Sequence, residues 1–340
     1  MSSQTADTRP SFVWIALPIV YVVWGSTYLG IHFVVQTMPP MISAGVRFVT
    51  AAVLLGAILA IKSGPRVLRV PWRRLATTAL VGLLLLTGGN GMVGVAELHM
   101  STGLAALLIA SVPLWLVVFR LVTGDRPAAA TLAGVLVGFG GLALLTLTRG
   151  GGTGSPLSVA IILGAALSWS IGSFLSSRLP MPGNPFVASV YEMAAGGLAL
   201  LALGFGRGER LHLDQVSRAS WIALAYLIVF GSLVAFTSYV WLLGNAPISL
   251  VGTYAYVNPA VAVLLGVAFA GEHATWTILL GGLIITLGVG LVVSTERRAR
   301  TEEVSSPSPS GTARPRRGRR RSPPESRSTP GPPRRRTGVR

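Results

Sequence analysis

Arg47 and Glu192 are ionisable side chains set inside long apolar runs, where a charge is costly and usually faces a polar interior. A third acid, Glu97, ends a stripe of Thr87, Asn90 and Gly94 at spacings of 3, 4 and 3, which puts all four on one helical face. Ser43, Arg47, Thr50 and Ala51 share a face of a second helix; Ser189, Glu192, Ala195, Gly196 and Ala199 share a face of a third. Small and polar residues also pack membrane helices closely, so part of each stripe serves as helix interface. Arg47 and Glu192 are the members whose cost demands polar surroundings. Glu97, with His99, falls at a span end close to water, as a solvated rim or as a gate.

Around these charges the sequence offers further cavity candidates. Trp24, Tyr254 and Tyr256 are placed to form an aromatic wall or to pack together. Asn90 and Asn258 can bond a neighbouring helix or a solute. Pro113 and Pro259 lie near the middle of apolar runs, where each removes a backbone N–H and clashes with the preceding turn.

Other chemistries lack their residues. The chain has no cysteine, hence no disulfide, thiol or Cys-based metal site. Its single lysine, Lys62, is not preceded by the glycines of a phosphate loop, and no G-x-S-x-G nucleophile occurs. His32, His99, His212 and His273 lie on separate segments without metal-ligand spacing. The sequence shows no means of hydrolysing ATP, no clustered acid, base or metal site of an enzyme, and no implied cofactor.

The elements that must position these residues are membrane spans. The chain is 51% hydrophobic and 11% charged over 340 residues, with a mean hydropathy of +0.64. Of its 28 basic residues 14 follow residue 295, with four of the 11 acids. Apolar runs of about 20 residues, enough to cross roughly 30 Å, give ten candidate spans: 12–34, 41–61, 75–96, 102–122, 129–148, 157–177, 185–205, 220–243, 249–270 and 275–295. The first follows Arg9 but is too long for a signal peptide and has no small-residue cleavage site. The fold class is therefore an all-α integral membrane protein. A cytoplasmic N-terminus puts Lys62, Arg66, Arg69, Arg73, Arg74, Arg120, Arg126, Arg178 and the basic tail inside, leaving Arg149, Arg207, Arg210 and Arg218 outside. The excess of cytoplasmic arginine and lysine places both termini inside. Trp14, Trp72, Trp221, Trp241 and Trp276 fall at span ends, where interfacial anchoring puts tryptophan.

An internal repeat accounts for the prolines. "GLAALLIASVPLWLVV" (103–118) aligns with "SLVGTYAYVNPAVAVL" (249–264), pairing Pro113 with Pro259 at an offset of 146. "GDRPAAATLAGVLVGFGGLALL" aligns with "GEHATWTILLGGLIITLGVGLV" at 147, and Trp24 pairs with Trp169 at 145. Arg47 and Glu192 are also 145 apart. Two homologous halves of five spans, 12–148 and 157–295, follow. Five is odd, so the halves enter the membrane in opposite senses: ten transmembrane helices as two inverted-topology repeats. Such repeats mark secondary transporters, with sites at the midplane between the halves and helices interrupted by Gly or Pro. The acids of Gly124-Asp125 and Gly271-Glu272 are placed to compensate the dipoles of the helices that follow them.

The stretches "YVVWGSTYLGIHFVVQTMPPMISAGVRF", "LLLLTGGNGMVGVAE", "SVYEMAAGG" and "TYAYVNPAVAVLLG…GE" resemble the EamA family of the drug/metabolite transporter superfamily, in particular its YedA-like inner-membrane members. The resemblance covers roughly residues 14–295. It implies a ten-helix fold with a central cavity and export or exchange of small metabolites, amino-acid-like solutes or drugs, without naming a substrate.

The remaining segments are a cytoplasmic N-terminus, 1–11, and an Arg/Pro/Ser-rich tail, 296–340, whose composition cannot form a core and predicts disorder. Its arginines suit anionic lipid headgroups; nucleic acid is not the expected partner, because the tail has no aromatic residue to stack on bases. Oligomeric state is not set by the sequence. The alternative to a transporter is a membrane scaffold or sensor acting through the tail, and loss of residues 300–340 separates the two.

Overall fold

The computed structural model describes residues 10–124, 127–147, 155–246 and 248–305. Among the described residues there is helix and turn but no strand. Seven helices are long and apolar enough to cross a membrane: Phe12–Val35, Pro40–Ser63, Trp72–Glu97, Thr102–Val122, Pro156–Ser176, Pro185–Gly206 and Arg218–Asn245. Ala129–Leu144, Val257–Phe269 and Trp276–Val292 are shorter apolar helices among the described residues, of 10–17 residues. Helix starts are written locally. Ser101, Ser155 and Ser217 accept from the N–H three residues on at 3.3, 3.1 and 3.1 Å, and Asn184 accepts from Phe186 at 2.9 Å, so each satisfies an N–H that the first turn leaves free.

Large aliphatic side chains such as Val53, Leu136, Leu198, Leu264 and Leu287 point outward, the apolar wall that lipid requires. Inside, glycines set the closest approaches. Pro40–Ser63 packs along Pro185–Gly206, with Gly45 against the Gly197 carbonyl. Ala129–Leu147 packs along Trp276–Ser305 with Gly134 and Gly138 on Gly288. A Cβ at Gly134 would lie 2.8 Å from the Gly288 oxygen, so the backbones meet without side chains between them.

Three features of the spans are not ordinary α-helix. Residues Leu83–Gly91 and Leu227–Phe236 are π-helical, a wider coil found mostly as short segments at functional sites. Their first residues are 144 positions apart and their last 145. Side-chain hydroxyls bond carbonyls of both segments: Ser168 Oγ donates to Leu84 O at 2.8 Å and Ser238 Oγ to Val234 O at 2.7 Å. Third, the Thr102–Val122 span breaks at Ala110–Ser111.

The break differs from what the paired prolines predict. Pro113 stands in the first turn of Val112–Val122, where its missing N–H costs nothing. Pro259 instead lies inside Tyr254–Phe269, six residues from its start, and the chain turns at Gly252–Thr253. The two prolines are thus not used alike. A second difference concerns the tail: the last helix runs from Trp276 to Ser305, ten residues beyond the 296 boundary. Residues 306–340 lie outside the described residues, as do Asp125 and the side chain of Tyr256. Of the span-end tryptophans, Trp14, Trp72, Trp221 and Trp276 are exposed, whereas Trp241 turns inward onto Phe12, its ring 6.5 Å away.

Candidate functional site

The first helix carries Trp24, Thr27, Tyr28 and Ile31 at 0, 3, 4 and 7, one inward stripe. Trp24 is the hub of an aromatic cluster: its ring centroid lies 5.3 Å from Trp169, 4.7 Å from Tyr239 and 5.4 Å from Tyr254, with Trp169 and Tyr254 edge-on, the arrangement ring quadrupoles favour. Trp169 Nε1 donates to the Tyr239 hydroxyl at 3.2 Å, and Ser173 Oγ bonds the same hydroxyl at 2.8 Å. Trp24, Trp169 and Tyr254 of this cluster border a chamber of about 40 Å³ whose polar lining includes Thr27, Tyr28, Asn90 and Asn258. That is room for a few waters.

Asn258 is committed to the scaffold. Its amide nitrogen donates to the carbonyls of Tyr21 at 2.8 Å and Tyr254 at 3.3 Å, which ties it to the first helix, and the Tyr21 hydroxyl bonds Thr253 beside it. Asn90 points the other way. Its Oδ1 accepts from Arg47 Nη1 at 3.2 Å, and Arg47 Nε donates to Ser232 Oγ at 2.9 Å. Arg47 is 2% exposed, and each of its partners comes from a different π-helical segment. Its guanidinium carbon sits 4.8 Å from the Phe48 ring. Arg47 lines a second cavity of about 20 Å³, bounded by Ile31, Val34, Leu224 and Leu227, and Asn90 and Ile31 line both spaces.

Glu192 and Glu97 are elsewhere. Glu192, 1% exposed with Oε2 unbonded, lines a cleft of about 500 Å³ with Ser176, Pro185, Trp241 and Asn245. Glu97 lines a cleft of about 770 Å³ with His32, Ser101, Ser155 and Glu272. Ser155 caps Pro156–Ser176 and Ser176 ends it, so the clefts open at opposite ends of a helix about 30 Å long. Glu97 is not a solvated rim residue: it is 4% exposed and both carboxylate oxygens are buried without a hydrogen-bond partner among the described residues. Its helix ends beneath the 98–101 and 271–275 loops, an enclosure that one helix's pattern does not contain.

Glu272 also differs from its expected role. It does not compensate the helix after it but accepts from Thr102 N at 2.6 Å and Gly103 N at 3.3 Å, capping the opposite helix. Glu209 treats Pro40–Ser63 the same way, accepting from Ile42 N at 2.9 Å.

The structure thus brings Trp24, Asn90, Trp169 and Asn258 around one chamber, joins Arg47 to it through Asn90, and leaves Glu192 and Glu97 in separate clefts. Pro113 and Pro259 are buried in the helices rather than in the chamber lining. Sequence reasoning missed Tyr28, Tyr239 and Ser232. The i, i+3, i+4, i+7 stripe that begins at Trp24 contained the first, and Ser232 and Tyr239 are themselves seven apart. Among the described residues no cluster of His, Cys, Asp or Glu could hold a metal ion.

The family described as the EamA-like transporter family matches residues 12–147 and again 156–294. This chain belongs to that family. It is 38% identical over 281 residues to the uncharacterized inner membrane transporter YedA of Escherichia coli K12, covering 80% of this chain and 90% of YedA. It is 27% identical over 297 residues to a probable terminal-alkyne amino-acid exporter of Streptantibioticus cattleyicolor, covering 87% of this chain and 97% of that protein. A solved crystal structure with 22% sequence identity superposes with a TM-score of 0.63, covering 85% of this chain and 99% of that one; at that identity the likeness concerns the fold. Two family matches side by side divide the EamA chain at 147–156, where its sequence repeat also divides.

Proposed function

We propose that this EamA protein is a secondary transporter of the inner membrane that exports or exchanges small metabolites, amino-acid-like solutes or drugs through a cavity between two inverted five-helix halves. One observation carries the reading: the aromatic chamber lies between two clefts that open at opposite ends of Pro156–Ser176, each of a size that holds a small solute. A site between two such clefts is what alternating access uses.

The inverted repeat has support from packing. The partner of Pro40–Ser63 is Pro185–Gly206, and the partner of Ala129–Leu147 is Trp276–Ser305, as a two-fold relation between halves 145–147 residues apart requires. The first helix lies on the Arg218–Asn245 span as Pro156–Ser176 lies on Trp72–Glu97. The π segments recur at the same offset. Seven long and three shorter apolar helices support a count of ten spans, and the basic residues of the short loops support cytoplasmic termini. The named amino-acid exporter among the relatives supports amino-acid-like solutes.

Glu192 serves in this cycle by taking up a proton or holding a cationic group. A metabolite and drug efflux screen in cells overproducing the full chain tests the transport reading. Trp24→Ala and Glu192→Gln, shown to be folded, are expected to lower the efflux found at least tenfold, and Glu192→Gln to flatten its dependence on pH between 6 and 8. Wild-type rates in both variants across that range would overturn these roles.

A further inference from the structure

A guanidinium has five N–H donors, carries its charge at any working pH and cannot shed it by deprotonation. Arg47 spends two of those donors, on the amide oxygen of Asn90 and the hydroxyl of Ser232. Both acceptors are neutral. Among the described residues no carboxylate lies within salt-bridge reach: Glu192 lines the cleft beside Ser176 and Asn245, and Glu97 the one beside Ser101 and Glu272. Nη2 lies against Gly231, where even a Cβ would come within 2.7 Å of it, so the π segment holds a glycine where the head group needs room. A buried cation answered only by neutral dipoles is costly, and a chain does not need that cost to close a helix interface that glycine and serine already close.

The free space has a shape to match. The cavity at Arg47 is small and walled largely by apolar side chains such as Ile31, Val34, Leu224 and Leu227, with Ser43 a further polar group, and it shares Asn90 and Ile31 with the aromatic chamber. At about 20 and 40 Å³ the two spaces together hold about four or five waters, the bulk of a small organic acid. One end offers a charged fork, the other the faces and edges of Trp24, Trp169 and Tyr254.

We propose that Arg47 is the residue at which this protein reads a carboxylate on its solute. The carboxylate takes the unspent guanidinium N–H groups, which bind it as a fork, and the solute's apolar or aromatic remainder extends past Asn90 into the chamber. Asn90 and Ser232 are positioning residues: each fixes one edge of the guanidinium from its own π-helical segment, so that the remaining N–H groups face the cavity. This assignment deepens the transporter reading and rests on it.

The test uses the full chain in proteoliposomes loaded with glycine or L-alanine, or with glycinamide or alaninamide, and follows efflux above empty vesicles. Wild type is expected to release each acid at least tenfold faster than its amide. Arg47→Gln, confirmed as folded by size-exclusion profile and melting, is expected to bring the acid down to the amide's rate, and Arg47→Lys, which keeps the charge but not the fork, to restore part of the difference. Equal release of acid and amide by wild type overturns the carboxylate site while leaving transport standing. So does a folded Arg47→Gln that slows both solutes in proportion, because that is what a purely structural arginine would do. Release of neither acid nor amide by wild type removes the transport of amino-acid-like solutes on which the assignment depends.

Discussion

Arg47 and Glu192 stand 145 positions apart in helices that pack on each other, and each helix packs on a π-helical segment. Their surroundings are nevertheless unlike. Arg47 is walled in: its head group is bonded at two edges and meets Gly231 with its tip. Around Glu192 it is the backbone that is tightly held, against Gly82, while the carboxylate reaches a cleft of about 500 Å³ with one oxygen unbonded. The two positions therefore differ in bonding rather than in burial: the cation is held at two edges, and the acid keeps a buried oxygen without a partner among the described residues. Place in a helix sets where a side chain emerges; what it meets depends on the neighbours.

Substituting the two glycines would break this comparison if it is wrong. An added Cβ at Gly82 would sit 2.6 Å from Glu192 Cα, so backbone must move. Gly82→Ala is expected to cost about 3 kcal/mol and to remove most folded protein, read by thermal melting in detergent. Gly231→Ala presses on side chains instead, the Arg47 head group and Thr27 Cγ2; it is expected to cost about 1–2 kcal/mol, less than Gly82→Ala, while narrowing the acid-to-amide ratio. Gly164→Ala, with nothing within 4 Å, is the control and is expected to gain up to about 1 kcal/mol from helix propensity. Equal melting of the Gly82 and Gly231 variants would mean the two environments are not different in kind.

The prolines sharpen the contrast at a second pair of matched positions. Pro259 is inside its helix and Pro113 begins one. Pro259→Ala is expected to raise stability by about 1–3 kcal/mol as the interior penalty is relieved, and to slow transport. Pro113→Ala is expected to change stability by less than about 1 kcal/mol. Similar melting shifts in the two variants would restore the symmetric reading that the sequence favours.

The smallest effects belong to the carboxylate caps. Glu272→Gln keeps an acceptor for Thr102 and Gly103 but loses the charge at a helix N-terminus, and Glu209→Gln does the same at Ile42. Each is expected to cost about 0.3–1 kcal/mol, measured by melting at low and high salt. A cost above that range, unchanged by salt, would mean that these acids hold the loops by more than their charge.

Much of this protein is legible in its sequence because membrane burial is written in runs and periods. Span lengths, the serine caps at 101, 155 and 217, and the pairing of Trp24 with Trp169 follow from hydropathy, local hydrogen bonding and self-similarity, each a property of a few neighbouring residues or of the chain compared with itself. The π segments, the burial of Glu97, the capping of one helix by Glu272 from across the bundle and the isolation of Arg47 from both acids are different in kind. They arise where distant helices meet: a charge is enclosed or exposed according to which helices and loops close over it. No local pattern encodes those encounters, because their energy exists only once the helices are packed.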